Sequence, residues 1–284
     1  MRPRHGARGI PGVKAHGGPG IAVIVSTYER PDALDAVLRI LAEQTCRRFE
    51  IVVADDGSGP DTREVVARHA EESDLDLRHV RQEDRGYRLA AIRNRAAAAT
   101  ERPYLIFLDG DCLVRPDYVE RHARLAEPGH FVHGSRVRLD PGLSRFAVAR
   151  ESAAIERWSA PRWLGEWLRG RVDRFTPLLS LPLGPLRRAS PRRWQGVKGC
   201  NLALWRSDFL AVNGFDEGFE GWGFEDNDLV VRLIRNGARR KEGRYAVPVL
   251  HLWHESRPPD PTSRERFERR LRSDTVRADR GIDG

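Results

Sequence analysis

No run of about 18 consecutive apolar residues occurs in this 284-residue chain, so no helix read from it is long enough to cross a bilayer. Cysteine is scarce: Cys46, Cys112 and Cys200 are odd in number, scattered and without CxxC spacing. That pattern argues against a disulfide framework and a zinc knuckle, and it suits a reducing cytoplasm. Residues 1–20 are basic and rich in Gly and Pro but lack the apolar core of a signal peptide, so they read as a flexible leader. The glycine fingerprint of dinucleotide-binding folds is missing as well. Gly17-Gly18-Pro19-Gly20 precedes the first apolar run, and Ser26-Thr27-Tyr28-Glu29-Arg30-Pro31 follows it. No turn is left there for a pyrophosphate to approach a helix start, which sets NAD aside.

What is present is a globular composition, 40% hydrophobic and 32% charged, with a formal charge of +8 carried mostly by arginine. A chain of this length buries a sizeable core. The positive balance invites nucleic acid, anionic membrane or phosphorylated substrates, and does not choose among them.

Residues 21–25 are a continuous β-branched run, the pattern of a strand covered on both faces. A helix follows, with Asp32 as its expected cap and Leu34, Val37, Leu38 and Leu41 on its buried face. Strands over 49–54 and 75–80 alternate with helices over 61–72 and 89–99. The next strand, 104–108, ends in Asp109-Gly110-Asp111. This alternation implies right-handed crossovers and a parallel sheet whose ligand crevice lies at the carboxyl ends of the strands. Asp56, Asp109 and Asp111 all fall at such ends. Paired carboxylates there suit Mg²⁺ or Mn²⁺ shared with substrate phosphates, although three residues alone also make an ordinary polar turn.

From Pro128 the rhythm breaks. Residues 131–139 read as a strand or hairpin arm. Residues 144–193 mix arginines and prolines with Trp158, Trp163 and Trp167. They read as a lid, an acceptor-binding insertion or a patch facing anionic lipid, or else as solvated arginines around core tryptophans. A short helix begins at Ser207. A further helix begins near Glu225 with acids in its first turn, where the dipole favours them, and a late strand spans 245–252. The chain thus divides into halves at 21–127 and 128–257, and the charged tail 258–284 reads as an exposed helix that frays.

Taken together, Ser26 to Pro31, Asp55-Asp56-Gly57-Ser58, Arg85-Gly86-Tyr87 with Arg93-Asn94, Asp109-Gly110-Asp111, Gly221-Trp222-Gly223-Phe224-Glu225-Asp226 and Trp253-His254-Glu255 resemble the family 2 glycosyltransferases of the GT-A fold. The likeness runs over residues 21–255. It points to the bacterial polysaccharide and lipopolysaccharide type, with a chondroitin-polymerase-like second half similar to the galactosyltransferase C-terminal module.

The resemblance implies an α/β fold with a Rossmann-like, mostly parallel central sheet, flanking helices and a smaller acceptor-side subdomain. It implies inverting transfer from a nucleotide-sugar donor, a UDP-sugar, to a hydroxyl of a glycan or lipid-linked acceptor. Asp226 would be the general base, with Glu225 beside it. Thr27, Tyr28, Glu29, Asp56, Arg85, Arg93, Asp109, Lys198 and Asn201 would bind the donor. Trp222 and Glu225 would bind the acceptor, and Asp111, His254 and Asp109 would hold Mn²⁺ or Mg²⁺. His251 reads as a packed neighbour of the ligands and Asp228 as a first-turn charge.

Three rivals stay in view. A nucleic-acid-binding protein accounts for the charge, but acids at the strand ends repel phosphate, so nucleic acid is not an expected partner. A sugar nucleotidyltransferase needs a glycine-rich loop after the first strand. A non-catalytic carbohydrate-binding relative would share the motifs. The expected location is the cytoplasm, with peripheral contact at the inner face of an anionic membrane left open.

Overall fold

In the computed structural model, which describes residues 18–149, 154–255 and 258–283, the apolar runs of the first half become the inner strands of one sheet. Residues 1–17 of the expected leader lie outside the described residues. Ile21–Thr27 (β1) is buried at every position and is followed by Pro31–Ala42 (α1). Phe49–Asp55 (β2), likewise buried throughout, leads to Pro60–Glu72 (α2), Asp76–Arg81 (β3), Leu89–Ala98 (α3) and Tyr104–Asp109 (β4). Side chains alternate across a strand. Val23, Val25, Ile51 and Val53 therefore face Leu34, Val37, Leu38 and Leu41 of α1. Ala22, Ile24, Val52 and Ala54 face Ala90, Ile92 and Ala96 of α3. Each fully buried aliphatic side chain contributes about 1.5–3 kcal/mol, which is why period-two apolar runs hold the centre.

Short strands make up the rest: Cys112–Val114 (β5), then Tyr118–Leu125 (α4), His130–His133 (β6) and Arg136–Arg138 (β7). Pro141–Val148 (α5) and Ala160–Leu168 (α6) occupy the Arg/Trp-rich region. Asn201–Trp205 (β8), Arg206–Ala211 (α7), Glu225–Arg235 (α8), Arg239–Glu242 (β9), Val249–His251 (β10) and Pro261–Arg272 (α9) complete the chain. The main sheet has the order β3-β2-β1-β4-β8-β6-β9, and β5-β10-β7 form a second sheet. β3, β2, β1 and β4 run parallel, β8 is antiparallel to both β4 and β6, and β9 is parallel to β6.

Several expectations need correcting. Asp32 does not cap α1: the helix begins at Pro31 with Arg30 at its cap, and Asp32 sits in the first turn paired with Arg30 at 3.0 Å. Residues 131–139 are not one arm. They split between the two sheets at Gly134, where a side chain would overlap Asn201 and the Val247 carbonyl. The late strand shrinks to β10, because Tyr245 adopts φ 65°. β9 carries the sequence Arg-Arg-Lys-Glu and so gave no hydropathy signal.

The tail does not fray. Asp260 caps α9 by accepting the Ser263 N–H at 3.1 Å, and Ser263, Phe267 and Arg270 are buried along one face. Phe267 packs with Phe219 and Val231 and stacks on Phe224 with ring centroids 5.3 Å apart. Arg270 Nε donates to Asp228 at 2.6 Å and its Nη2 to Asp216 at 2.9 Å. Asp228 is therefore no solvated first-turn charge. It is wholly buried between Arg270 and Arg232, the latter at 2.7 Å.

Candidate active site

The ends of the parallel strands meet in hydrogen-bonded loops. Glu29, at φ 48°, donates its N–H to Ser58 Oγ at 3.0 Å, and Gly59 N–H returns a bond to Glu29 Oε1 at 2.7 Å. Thr27 Oγ1 is buried beside them without a partner among the described residues. Asp56 accepts the Arg88 N–H at 2.8 Å, and burial raises its carboxyl above the ordinary range. Tyr28 donates its hydroxyl to Asp84 at 3.2 Å. Thr27, Tyr28, Glu29 and Asp56 thus share one loop cluster. Arg85 stands apart in solvent, paired with Glu83 at 2.6 Å.

The turn between the two candidate metal aspartates is tight. Gly110 N–H donates to Ser26 O at 2.7 Å, and a Cβ there would come within 2.9 Å of that oxygen. The chain then enters β5, antiparallel to β10 with His251 opposite Cys112. Leu252 N–H donates to Asp111 O at 2.9 Å, which fixes the register. Asp111 Oδ2 consequently lies 3.6 Å from Nε2 of both His251 and His254. Donor atoms of these three residues all fall within 4.8 Å of one another. His251 was expected only to pack nearby, but it belongs to this cluster. It is 6% exposed, and burial lowers its pKa, keeping the imidazole neutral with a lone pair to offer. The signal was available in the strand-end spacing His251-Leu-Trp-His254, but pairing with β5 is what gives it meaning.

Asp109 turns the other way. Fully buried Arg93 donates to Asp109 Oδ1 at 2.6 Å, to Ser26 Oγ at 3.0 Å and to Glu225 Oε1 at 3.4 Å. The guanidinium so joins β1, β4 and the start of α8. Its bonds brace the framework of the crevice, and it lines the same cleft as Glu225 and Asp226.

α8 begins from a backbone that only glycine and strain permit: Gly221, Gly223 and Phe224 have φ of 102°, 112° and 71°. This turn sets Glu225 and Asp226 into the first turn of the helix. Asp226 Oδ2 accepts the Gly199 N–H at 2.7 Å and its Oδ1 the Asn227 N–H at 2.7 Å. Glu225 is pushed up to about 7, first by burial and then by Asp226, against the pull of Arg93. One cleft is lined by Tyr87, Asp109, Lys198, Trp222, Glu225 and Asp226. Trp222 presents a ring that is 43% exposed.

Asn201 does not reach this cleft. Its side chain is wholly buried, accepting from Tyr118 Oη at 3.0 Å and donating to Val247 O at 2.7 Å. These two side-chain bonds tie β8 to α4 and to the turn before β10. Gly199, within the Lys198–Asn201 stretch expected on the donor side, orients Asp226, and Arg136, which sequence reasoning left without a role, also lines the cleft.

A family model described as glycosyl transferase family 2 matches residues 22–176, and one described as the N-terminal domain of galactosyltransferase matches residues 189–255. Validoxylamine A glucosyltransferase of Streptomyces hygroscopicus subsp. jinggangensis is 37% identical over 237 residues, 80% of this chain and 54% of its own length. Chondroitin synthase of Escherichia coli is 30% identical over 251 residues, 80% of this chain and 34% of its own. The chain spans about half, or less, of the curated relatives it matches. Among solved structures, GalNAc-T7 with UDP, GalNAc and Mn²⁺ superposes with a TM-score of 0.63 at 15% identity, covering 90% of this chain and 48% of that one. The mannosyltransferase PcManGT from Pyrobaculum calidifontis with GDP-Man and Mn²⁺ gives 0.57 at 21% identity, covering 84% and 59%. These likenesses place the α/β architecture in the GT-A fold.

Proposed function

This chain belongs to glycosyl transferase family 2, and from that membership we propose that it is an inverting glycosyltransferase. It moves a sugar from a nucleotide-sugar donor, a UDP-sugar, to a hydroxyl of a glycan or lipid-linked acceptor, with Asp226 as general base. The observation that carries this reading is that Asp226, Glu225 and Trp222 line one cleft with Asp109, whose turn-mate Asp111 stands in the cluster with His251 and His254. Two relatives with the names of sugar-transferring or polysaccharide-making enzymes support it.

The donor atoms suit a divalent cation. One carboxylate and two imidazoles favour Mn²⁺ over Mg²⁺, which prefers an all-oxygen shell. Asp111, His251 and His254 would hold the ion, which when bound supplies Lewis-acid neutralisation of charge on a departing diphosphate. The chain's own groups do the rest. Asp226, oriented by Gly199 and Asn227, takes the acceptor's hydroxyl proton as the new bond to the anomeric carbon forms and the bond to the diphosphate oxygen breaks on the opposite face. Trp222 offers its exposed face to a sugar ring. Lys198, exposed and lining the cleft, would meet the donor.

A second reading makes Glu225 the proton acceptor, because its pKa near 7 matches the pH at which a base is most effective. Asp226→Asn is expected to cost about 10²–10⁴-fold in transfer while nucleotide affinity stays unchanged. UDP release and titration calorimetry measure the two. Wild-type turnover in that variant would remove Asp226 from the role, and loss in Glu225→Gln alone would hand it to Glu225. UDP binding with no release on any donor and acceptor pair would favour a non-catalytic relative.

A further inference from the structure

The polarity of α6 is inverted for a surface helix. Its acid, Glu166, is buried together with Trp163, while Leu164, Trp167 and Leu168 stand in solvent, Leu168 at 72% exposure. Their spacing of i, i+3 and i+4 puts the three on one stripe. Cations flank it. Arg169 and Arg171 hold Glu166 at 3.2 and 3.3 Å, so the acid of this helix is already neutralised from within. Arg162 lies over the Trp158 ring, 3.6 Å from its centroid.

The patch continues toward the metal cluster. Trp158 touches Trp163 at 5.2 Å and Phe146 of α5, itself exposed, at 6.1 Å. Arg145, beside Phe146, is exposed and lines a cleft with Arg30, Trp253 and His254. Trp253 N–H donates to Ser144 Oγ at 2.7 Å, tying α5 to that edge.

We propose that this face, α6 with the adjoining end of α5, seats on an anionic phospholipid bilayer. Leu164, Trp167 and Leu168 enter the boundary between headgroups and acyl chains, and Arg145, Arg162, Arg169 and Arg171 meet the phosphates. A nucleic acid would use the arginines and rings but would have nothing to gain from Leu164 and Leu168. Arginine stems can lie along apolar surface while their heads stay at the phosphates, which is the arrangement a bilayer edge requires.

The test is flotation of the full chain with vesicles of phosphatidylcholine mixed with phosphatidylglycerol, against vesicles of phosphatidylcholine alone. Wild type is expected to float with the mixed vesicles and to detach as salt rises. The double variant Trp167→Ser with Leu168→Ser keeps the net charge and is expected to partition at least about tenfold more weakly. Because both side chains are exposed, its thermal midpoint should stay at the wild-type value, which separates lost contact from lost fold. Arg145→Gln with Arg162→Gln is expected to abolish the preference for the anionic vesicles. Three results would overturn the proposal: wild type that stays with the soluble fraction, a Trp167/Leu168 variant that floats as well as wild type through bulk positive charge, or a stripe that mediates self-association in solution instead.

Discussion

Glu225 and Asp226 are adjacent in the chain and differ in what surrounds them. Asp226 is fixed by two backbone N–H groups, whereas Glu225 is buried against Asp226 with Arg93 as its counter-charge. The pKa of Glu225, raised from 4.5 to about 7, has a sign that can be checked. Between those values the folded chain binds more protons than the unfolded chain, so stability falls as pH rises through that window. Glu225→Gln should flatten that decline, recovering about 2–3 kcal/mol at pH 8 relative to pH 4 in urea titrations. Activity tells the two bases apart: if Glu225 takes the proton, the rate falls below pH 7 as Glu225 protonates and Glu225→Gln loses transfer, whereas with Asp226 as base that acid limb is missing and the variant keeps turning over. At the cation cluster, His251→Ala should weaken Mn²⁺ binding by at least about tenfold in calorimetry without donor present. The carboxylates and His254 were legible because each stands in a short recognisable string. The place of His251 was not, since it comes from Asp111 far away in the chain, and the same distance hid the pairing of Arg93 with Asp109 and Glu225.

Among the elements, α9 shows how charge can conceal a core face. Residues Ser263, Phe267 and Arg270 repeat at helical spacing within a run of arginines and glutamates, and the only large apolar member is Phe267. The buried arginine is the essential one, for it satisfies Asp216 and Asp228 together and docks α9 on the helix that begins with Glu225. Arg270→Ala leaves two buried acids short of a partner. A loss of about 3–5 kcal/mol in denaturant unfolding is expected, with transfer activity falling alongside as α8 loses its support. The β-branched strands of the first half announced themselves by composition, because strands buried on both faces need unbroken apolar runs. β5 and β10 have three residues each and β9 has no apolar side chain, so these short strands carried too little periodicity to read.

At the scale of the molecule, the two halves expected from the change of rhythm at Pro128 are stitched rather than separate. β8, β6 and β9 extend the first half's sheet, and β5 of the first half joins β10 and β7 in the second. An ion held by Asp111, His251 and His254 would fasten β5 to the end of β10. Mn²⁺ should therefore raise the unfolding midpoint, through a stabilisation of about 2.7 kcal/mol at a hundredfold excess over its dissociation constant, and a chelator should reverse the gain. Equal melting with and without the ion would count against that ligand set.

The pairing of β5 with β10 also bears on birth of the protein. Asp111 leaves the ribosome long before His251, and strands so distant in sequence close slowly. A nascent chain can already shape the parallel strands β1 to β4 while the cluster of Asp111, His251 and His254 does not yet exist. The three groups of that cluster can meet only once residues 249–254 have been made, so this corner of the cleft is the last part of the sheet framework to take shape.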